Sequence, residues 1–266
     1  MALTPTIQLV TGAGSNVLAV NDGGGITLIN SQLAENASAL EKLVKTGARQ
    51  EIKYIINTHW YPDQTGGNIY FGSSATIIAH ETIAAKLASD HIIKLFNKQI
   101  KAAPVTALPD ITFTSSLGLT RGSEQIRLDH ISGTNTDGTT VVLFKNAKIA
   151  YIGDLCLPEG FPIVDTDQGG SVAGLIAALE RILKIAPSDV RFVATHGAPL
   201  SRSALTNYLI MLRETLDHVR AQVAQNRSLE QILAAGLPAK WKSFGSGVVK
   251  ESDYIKWLYA TAKSAR

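Results

Sequence analysis

Cysteine is almost missing from this 266-residue chain, in which Cys156 stands alone. A single thiol excludes an internal disulfide framework and any zinc module built on several cysteines. Long apolar runs are missing too. None reaches the roughly 18 residues that a membrane-spanning helix needs, so neither a transmembrane helix nor a membrane partner is expected. The net charge is +3, yet no run of five or six basic residues occurs, which argues against a nucleic-acid partner. The opening MALTPTIQLV lacks the charged, apolar and small-residue regions of a secretory leader. The chain as written therefore reads as cytoplasmic, or as periplasmic if a leader has been removed, and a lone cysteine fits both compartments. Short repeats and low-complexity linkers are absent as well, so residues 1–266 are expected to form a single domain. With 45% hydrophobic and 18% charged residues, the composition is that of a folded, soluble chain rather than a disordered one.

What is present is a succession of short apolar runs bounded by turn residues. Ile7–Val10, Val17–Val20 and Ile26–Ile29 read as three strands, the last following Asn21-Asp22-Gly23, a step that favours a hairpin. Ala37, Leu40, Leu43 and Val44 recur at helical spacing over Ala34–Thr46, with Gly47 as C-cap. Strands are expected at Tyr54–Ile56 and Ala75–Ala79, and a helix over Glu81–Phe96 carrying Ile83, Leu87, Ile92, Ile93 and Phe96. After a loop from Lys98 to Pro109 come strands at Ile111–Phe113, Gln125–His130, Val141–Phe144 and Ile149–Ile152. Ser171–Ile185 reads as a helix, Phe192–Ala194 as a last strand, and Ser203–Asn226 as a long helix opening a C-terminal helical segment from about residue 203. Two β-rich halves with attached helices predict an α/β fold of two packed sheets with helices outside.

Two glycine-bearing stretches could carry chemistry. Gly12-Ala13-Gly14-Ser15-Asn16-Val17 begins like a dinucleotide loop, but Val17 replaces its third glycine and a strand follows instead of a helix, so it reads as a hairpin turn. Thr58-His59-Trp60-Tyr61-Pro62-Asp63-Gln64-Thr65-Gly66-Gly67 directly follows an apolar strand. There a His, a Tyr and an Asp on a tight loop can converge on one point.

This second stretch resembles the pattern THxHxDHxGG of the metallo-β-lactamase superfamily. The resemblance extends through the opening meander VTGAGSNVLAVNDGGGITLIN, through Ser132–Thr139, similar to the family's GHTDGD loop, and through Tyr151-Ile152-Gly153-Asp154 and Thr195-His196-Gly197. It implies a four-layered αβ/βα sandwich, two mixed β-sheets flanked by helices. In the family one metal is held by three histidines and a bridging aspartate. Here His59 and Asp154 remain, with Tyr61 and Asn135 at the other two positions. The second metal takes an aspartate, two histidines and the bridge. Here Asp63, Asp154 and His196 remain, and Gln64 replaces a histidine. Asn30 likewise stands where the family has an aspartate, and Thr139 where its second loop often has one. A dinuclear zinc centre is therefore not expected.

Three readings of the expected site remain open. The cofactor is none, or one divalent ion of zinc, manganese or iron on Asp63, Asp154 and His196, activating water toward an ester, lactone or amide carbonyl. Without metal, His59 or His196 serves as general base, oriented by Asp154 or Asp63, and Tyr61 supplies a hydrogen bond to developing negative charge. Or the cleft, with Gln64, Asn135 and Trp60 in its wall, only binds a small-molecule ligand. The leading expectation is a divergent hydrolase-like or lyase-like enzyme. Trp60 itself reads more as packing than as a contact. His80, His91, His130 and His218 read as ordinary satisfied or exposed histidines, and Cys156 as a small buried apolar residue. Phe96, Phe161, Trp241, Phe244 and Trp257 are candidates to line or cover the cleft, with the segments Lys94–Pro109 and beyond Leu155 as its walls.

Overall fold

The structure, a computed structural model, describes residues 1–12, 14–46 and 50–264. The chain forms two compact units, one of Met1–His130 with Thr140–Gly153, the other of Ile131–Thr139 with Asp154–Arg266.

In the first unit β1 (Ile7–Val10), β2 (Val17–Asn21) and β3 (Ile26–Ile29) pair antiparallel, the β1–β2 register joining Val10 to Val17. The glycine loop at residue 12 is thus the connection of a hairpin. Gly23 and Gly25, at φ +86° and +142°, supply the left-handed backbone that turns β2 into β3. Helix α1 (Ala37–Lys45) buries Ala37, Leu40 and Val44, one stripe at helical spacing, against Leu28, Ile52 and Ile55. Gly47, the expected C-cap, lies outside the described residues. Strand β4 (Ile52–Asn57) adds parallel to β3. The short helices α2 (Pro62–Thr65) and α3 (Asn68–Phe71) then lead to β5 (Thr76–His80) and α4 (Glu81–Leu87).

The helix expected to run to Phe96 stops at Leu87. The chain instead makes a hairpin of β6 (His91–Ile93) and β7 (Lys98–Ile100), paired antiparallel with Ile93 opposite Lys98. Ile83, Leu87, Ile92, Ile93 and Phe96 fit a helical period, but Asn97 adopts a left-handed conformation that turns the chain back. Ile93 is buried in one cluster with Trp60, Tyr61, Ile83 and Leu87, and Leu95 and Ile100 pack against it. Tertiary burial decides between the two periods.

Strand β8 (Ile111–Phe113) closes a mixed sheet of order β1-β2-β3-β4-β5-β8, in which β3, β4, β5 and β8 run parallel. A second run holds β9 (Ser116–Arg121), β10 (Glu124–Ile131), β11 (Thr139–Phe144) and β12 (Ile149–Gly153), ordered β12-β11-β10-β9. Sequence reading missed β9, whose residues alternate between exposed and half-buried and offer no apolar run.

The second unit contains α5 (Val172–Ile185), β13 (Arg191–Ala194) and three helices, α6 (Arg202–Ala224), α7 (Leu229–Ala235) and α8 (Glu251–Ser264). Ser171, Ser201 and Ser228 cap α5, α6 and α7 by accepting a backbone N–H, and Ser228 with Gln231 completes a capping box. Phe161 stacks on Tyr254 with ring centroids 4.4 Å apart, and the Tyr254 hydroxyl lies 2.8 Å from that of Thr215 in α6. Both aromatic residues are buried core, not cleft lining. His218, expected to face solvent, is half-buried, with Nε2 3.1 Å from the Gly236 carbonyl. No helix among the described residues is long and apolar enough to cross a membrane. The expected α/β architecture of mixed sheet and flanking helices is present.

Candidate functional site

The loop Thr58–Tyr61 leaves the C-terminal end of β4, inside the parallel part of the sheet. In open α/β sheets that end is where ligands gather, because the chain turns away there and leaves polar groups facing outward. Pro62 occupies the first position of α2, and the N–H groups of Gln64 and Thr65 both donate to the Tyr61 carbonyl, 2.9 and 3.1 Å away. The turn seats Tyr61, Asp63 and Gln64 within one helical turn of one another.

His59 is buried, at 1% exposure. Its Nδ1 accepts the Tyr61 N–H at 3.1 Å, so the single proton of the neutral ring sits on Nε2, which is then a donor. Burial lowers its pKa to about 3, against a smaller opposing pull from Asp63. Near neutral pH the ring is therefore uncharged and a poor base. The Tyr61 ring meets it edge-on with centroids 4.3 Å apart, and Trp60 lies 5.2 Å away nearly parallel to it. Trp60 is buried at 2% exposure, with Lys86 over its ring and the His91 ring edge-on at 4.9 Å. Its ring packs in the cluster with Tyr61, Ile83 and Leu87, and His91 lies against it in β6 rather than on a helix. Phe96 reaches the Tyr61 ring at 6.0 Å while remaining about half exposed.

Gln64 is fully buried, and its Oε1 accepts from the Thr58 hydroxyl at 2.9 Å and from the Asn30 amide at 3.1 Å. The Asp63 backbone carbonyl accepts from the Ser15 hydroxyl, which fixes the loop to the β1–β2 connection.

Asn135, Asp154 and His196 belong to the second unit. Asp154 follows Gly153, whose φ of +58° ends β12, and His196 follows β13; both are half-buried. Asn135 is fully buried. Its Oδ1 accepts from the Thr139 hydroxyl and lies 3.1 Å from that of Thr134, and its carbonyl accepts from the Asp165 N–H at 2.8 Å. The loop 133–139 rests on the start of α5, where Ser171 donates through N–H to the Thr134 carbonyl at 2.8 Å and through its hydroxyl to the Gly133 carbonyl at 3.2 Å. Gly174 makes this possible, since a Cβ there would stand 1.7 Å from the Gly133 carbonyl oxygen.

The metallo-β-lactamase superfamily model matches residues 10–196. The chain belongs to that superfamily. Its fold is similar to that of a metallo-β-lactamase from Pontibacter korlensis, with 21% identity over 80% of this chain and 97% of that one and a TM-score of 0.65. It is likewise similar to BLEG-1 B3 metallo-β-lactamase, at 18% identity over 77% and 99% and a TM-score of 0.64. The stereoselective inverting sec-alkylsulfatase Pisa1 from Pseudomonas sp. is 14% identical over 97% of this chain, with a TM-score of 0.73. The chain spans about half the length of that sulfatase, 49% of it. At these identities the likeness is one of fold.

The zinc that the superfamily usually binds needs donors with a lone pair to give. The amide oxygens of Gln64 and Asn135 each face two internal hydroxyl or amide groups within hydrogen-bond distance, and His59 carries its proton on Nε2. Among the described residues no group of three or more His, Cys, Asp and Glu side chains is placed to hold a metal ion. Thr58 and Tyr151, which hold the first loop, and Ser171 and Gly174, which hold the second, escaped sequence reading. The one available signal was the paired appearance of amides, Asn30 and Gln64, at positions the family fills with an aspartate and a histidine.

Proposed function

We propose that this metallo-β-lactamase-fold chain is a divergent hydrolase-like or lyase-like enzyme that acts on a small organic carbonyl compound, such as an ester or lactone, without the family's dinuclear zinc. The observation that carries this reading is the loop after β4, which keeps His59, Tyr61 and Asp63 at the strand's end while the amide oxygen of Gln64 is filled from within. Family members bind small-molecule substrates, and Phe96 beside Tyr61 offers an apolar contact for one.

Acid–base chemistry then falls to this chain's own groups. His59, neutral with its proton on Nε2, is suited to donate a hydrogen bond to a carbonyl oxygen gaining negative charge, and the Tyr61 phenol is suited to the same task. His59 holds a proton too weakly near neutrality to be the base, which leaves His196 as the histidine to test for that role. In this reading the base takes the proton of the attacking water and returns it to the leaving oxygen.

A panel of p-nitrophenyl esters and simple lactones, assayed with and without chelator, tests it. Turnover that persists in chelator and falls in both Tyr61→Phe and His196→Ala is the expected result. Turnover lost to chelator, with about one equivalent of metal by elemental analysis, would instead assign one divalent ion to Asp63, Asp154 and His196. The internal bonding of the Gln64 amide favours a second reading, binding without turnover. No turnover on the whole panel, together with a ligand that raises the melting temperature, would establish it.

A further inference from the structure

We infer that side-chain amides and hydroxyls hold in this chain the two loops that carry zinc ligands in its family, with Asn30 the positioning residue of the first. Asn30 ends β3 in a left-handed conformation, φ +67°, and is fully buried. Its orientation is not arbitrary. The Thr58 backbone N–H can only donate and lies 2.9 Å from Oδ1, so Nδ2 must face the other way. From there its two hydrogens have three acceptors in reach, the Tyr151 and Thr58 hydroxyls at 2.9 Å each and the Gln64 Oε1 at 3.1 Å. Tyr151 passes its own proton to the Asn16 carbonyl at 2.9 Å, and the Thr58 hydroxyl lies in donating range of both the Gln64 Oε1 at 2.9 Å and the Asn30 Oδ1 at 3.1 Å. Asn30, Thr58, Gln64 and Tyr151 thus form one buried set in which each side chain bonds at least two others or the backbone.

This set joins the start of β2, the ends of β3 and β4, the loop and β12, all within the first unit. A second amide pair continues it, Asn57 and Asn68 each donating to the other's oxygen at 3.2 and 2.8 Å, with the Ser31 hydroxyl on Asn68 at 2.8 Å. The loop of the second unit has its own version, with Asn135 between the hydroxyls of Thr134 and Thr139. Gln64 and Asn135 stand where the family has histidine ligands, and in each case the new oxygen binds neighbouring hydrogens. A metal ties two loops by bonds to an ion. Here each loop is tied within its own unit, and its geometry is independent of any ion.

This inference does not rest on the proposed activity. Hydrogen exchange followed by mass spectrometry and NMR, with melting temperature, on the full chain before and after exhaustive chelation tests it. Exchange of the Thr58 and Gln64–Thr65 amides should be unchanged by chelator and by zinc add-back, with the melting point constant to within about 1 °C. Asn30→Ala should speed exchange of those amides at least tenfold and leave peptides of α5 and α6 unchanged. If Asn30→Ala does not fold, Tyr151→Phe, which removes one acceptor and one donor, should give the same pattern at smaller amplitude. Asn30→Asp keeps the acceptor for the Thr58 N–H and loses both donors. It should leave the Thr58 amide protected while shifting the Gln64 side-chain resonances, a split that mere loss of packing would not produce. A loop that opens in chelator overturns the inference, as does an Asn30→Ala protein whose Thr58 amide exchanges at the wild-type rate. A chain without turnover that keeps this pattern overturns only the activity, and an active enzyme whose loop opens in chelator overturns only the inference.

Discussion

Replacing a helical glycine by alanine ordinarily stabilises a protein by about 1 kcal/mol, because glycine loses more backbone entropy on folding. Gly174→Ala should do the reverse. Gly174 lies in the first turn of α5, and a Cβ there would stand 1.7 Å from the Gly133 carbonyl oxygen, where real contacts essentially never fall below 3.0 Å. Helix and loop must therefore separate by about 1.3 Å, the difference between those two distances. The contacts at stake are the Ser171 N–H to the Thr134 carbonyl and the Ser171 hydroxyl to the Gly133 carbonyl, at 2.8 and 3.2 Å. Two buried hydrogen bonds at about 1 kcal/mol each, plus about 1–3 kcal/mol for overpacking, outweigh the helical gain and leave a net loss of about 2–4 kcal/mol. For a chain of this size that lowers the melting temperature by roughly 5–15 °C. Gly118 in β9 is the control, since nothing lies within 4 Å of its Cβ position. Gly118→Ala should be neutral or slightly stabilising. Calorimetry and urea unfolding of both variants measure the difference. A Gly174→Ala protein as stable as wild type would show that the loop is not seated on α5 as described, and that Asn135 is not held from that side.

Further outcomes are open to direct measurement. His59 titrates near 6.5 when unfolded and near 3 when folded, so between those values the unfolded chain binds more protons and stability rises with pH. That stability is complete above about pH 7 and falls by about 2 kcal/mol at pH 5. Urea unfolding across pH 4–8 should show the slope, and it should flatten in His59→Gln; equal slopes would refute the burial of the ring. Cys156 is buried and its thiol pKa is raised by burial, so Ellman's reagent should leave it unreacted in the native protein and modify it once in denaturant. Tyr254→Phe removes a hydroxyl paired with Thr215 and should cost about 1 kcal/mol by thermal unfolding, while keeping the stacking on Phe161.

Much of the fold was legible because each of five motif segments marks a strand end or turn, and strand ends are where short polar sequences break apolar runs. The hairpin of β6 and β7 was not, since Ile92, Ile93 and Phe96 obey a helical period after Ile83 and Leu87. Only the docking of Ile93 against Trp60 and Tyr61 tells a strand from a further helical turn. At the site, sequence revealed which ligand positions had changed but not what the new side chains bond to. Gln64 takes a hydrogen from Asn30, 34 residues away, and Asn30 gives another to Tyr151, 121 residues away. No local pattern encodes that. The pKa of His59 was invisible for a similar reason, because it follows from burial, and burial belongs to the assembled unit.

The dense bonding around Asn30 also bears on how the loop can change. A lineage that changes one of these residues at a time meets a barrier at each step. Restoring histidine at Gln64 alone would strip Asn30 and Thr58 of a shared acceptor in the interior, before any ion had arrived to compensate. Restoring aspartate at Asn30 alone would set a carboxylate oxygen against an amide oxygen. A single substitution in this set is therefore felt by several buried partners at once, so the loop after β4 tolerates change only when its neighbours change with it.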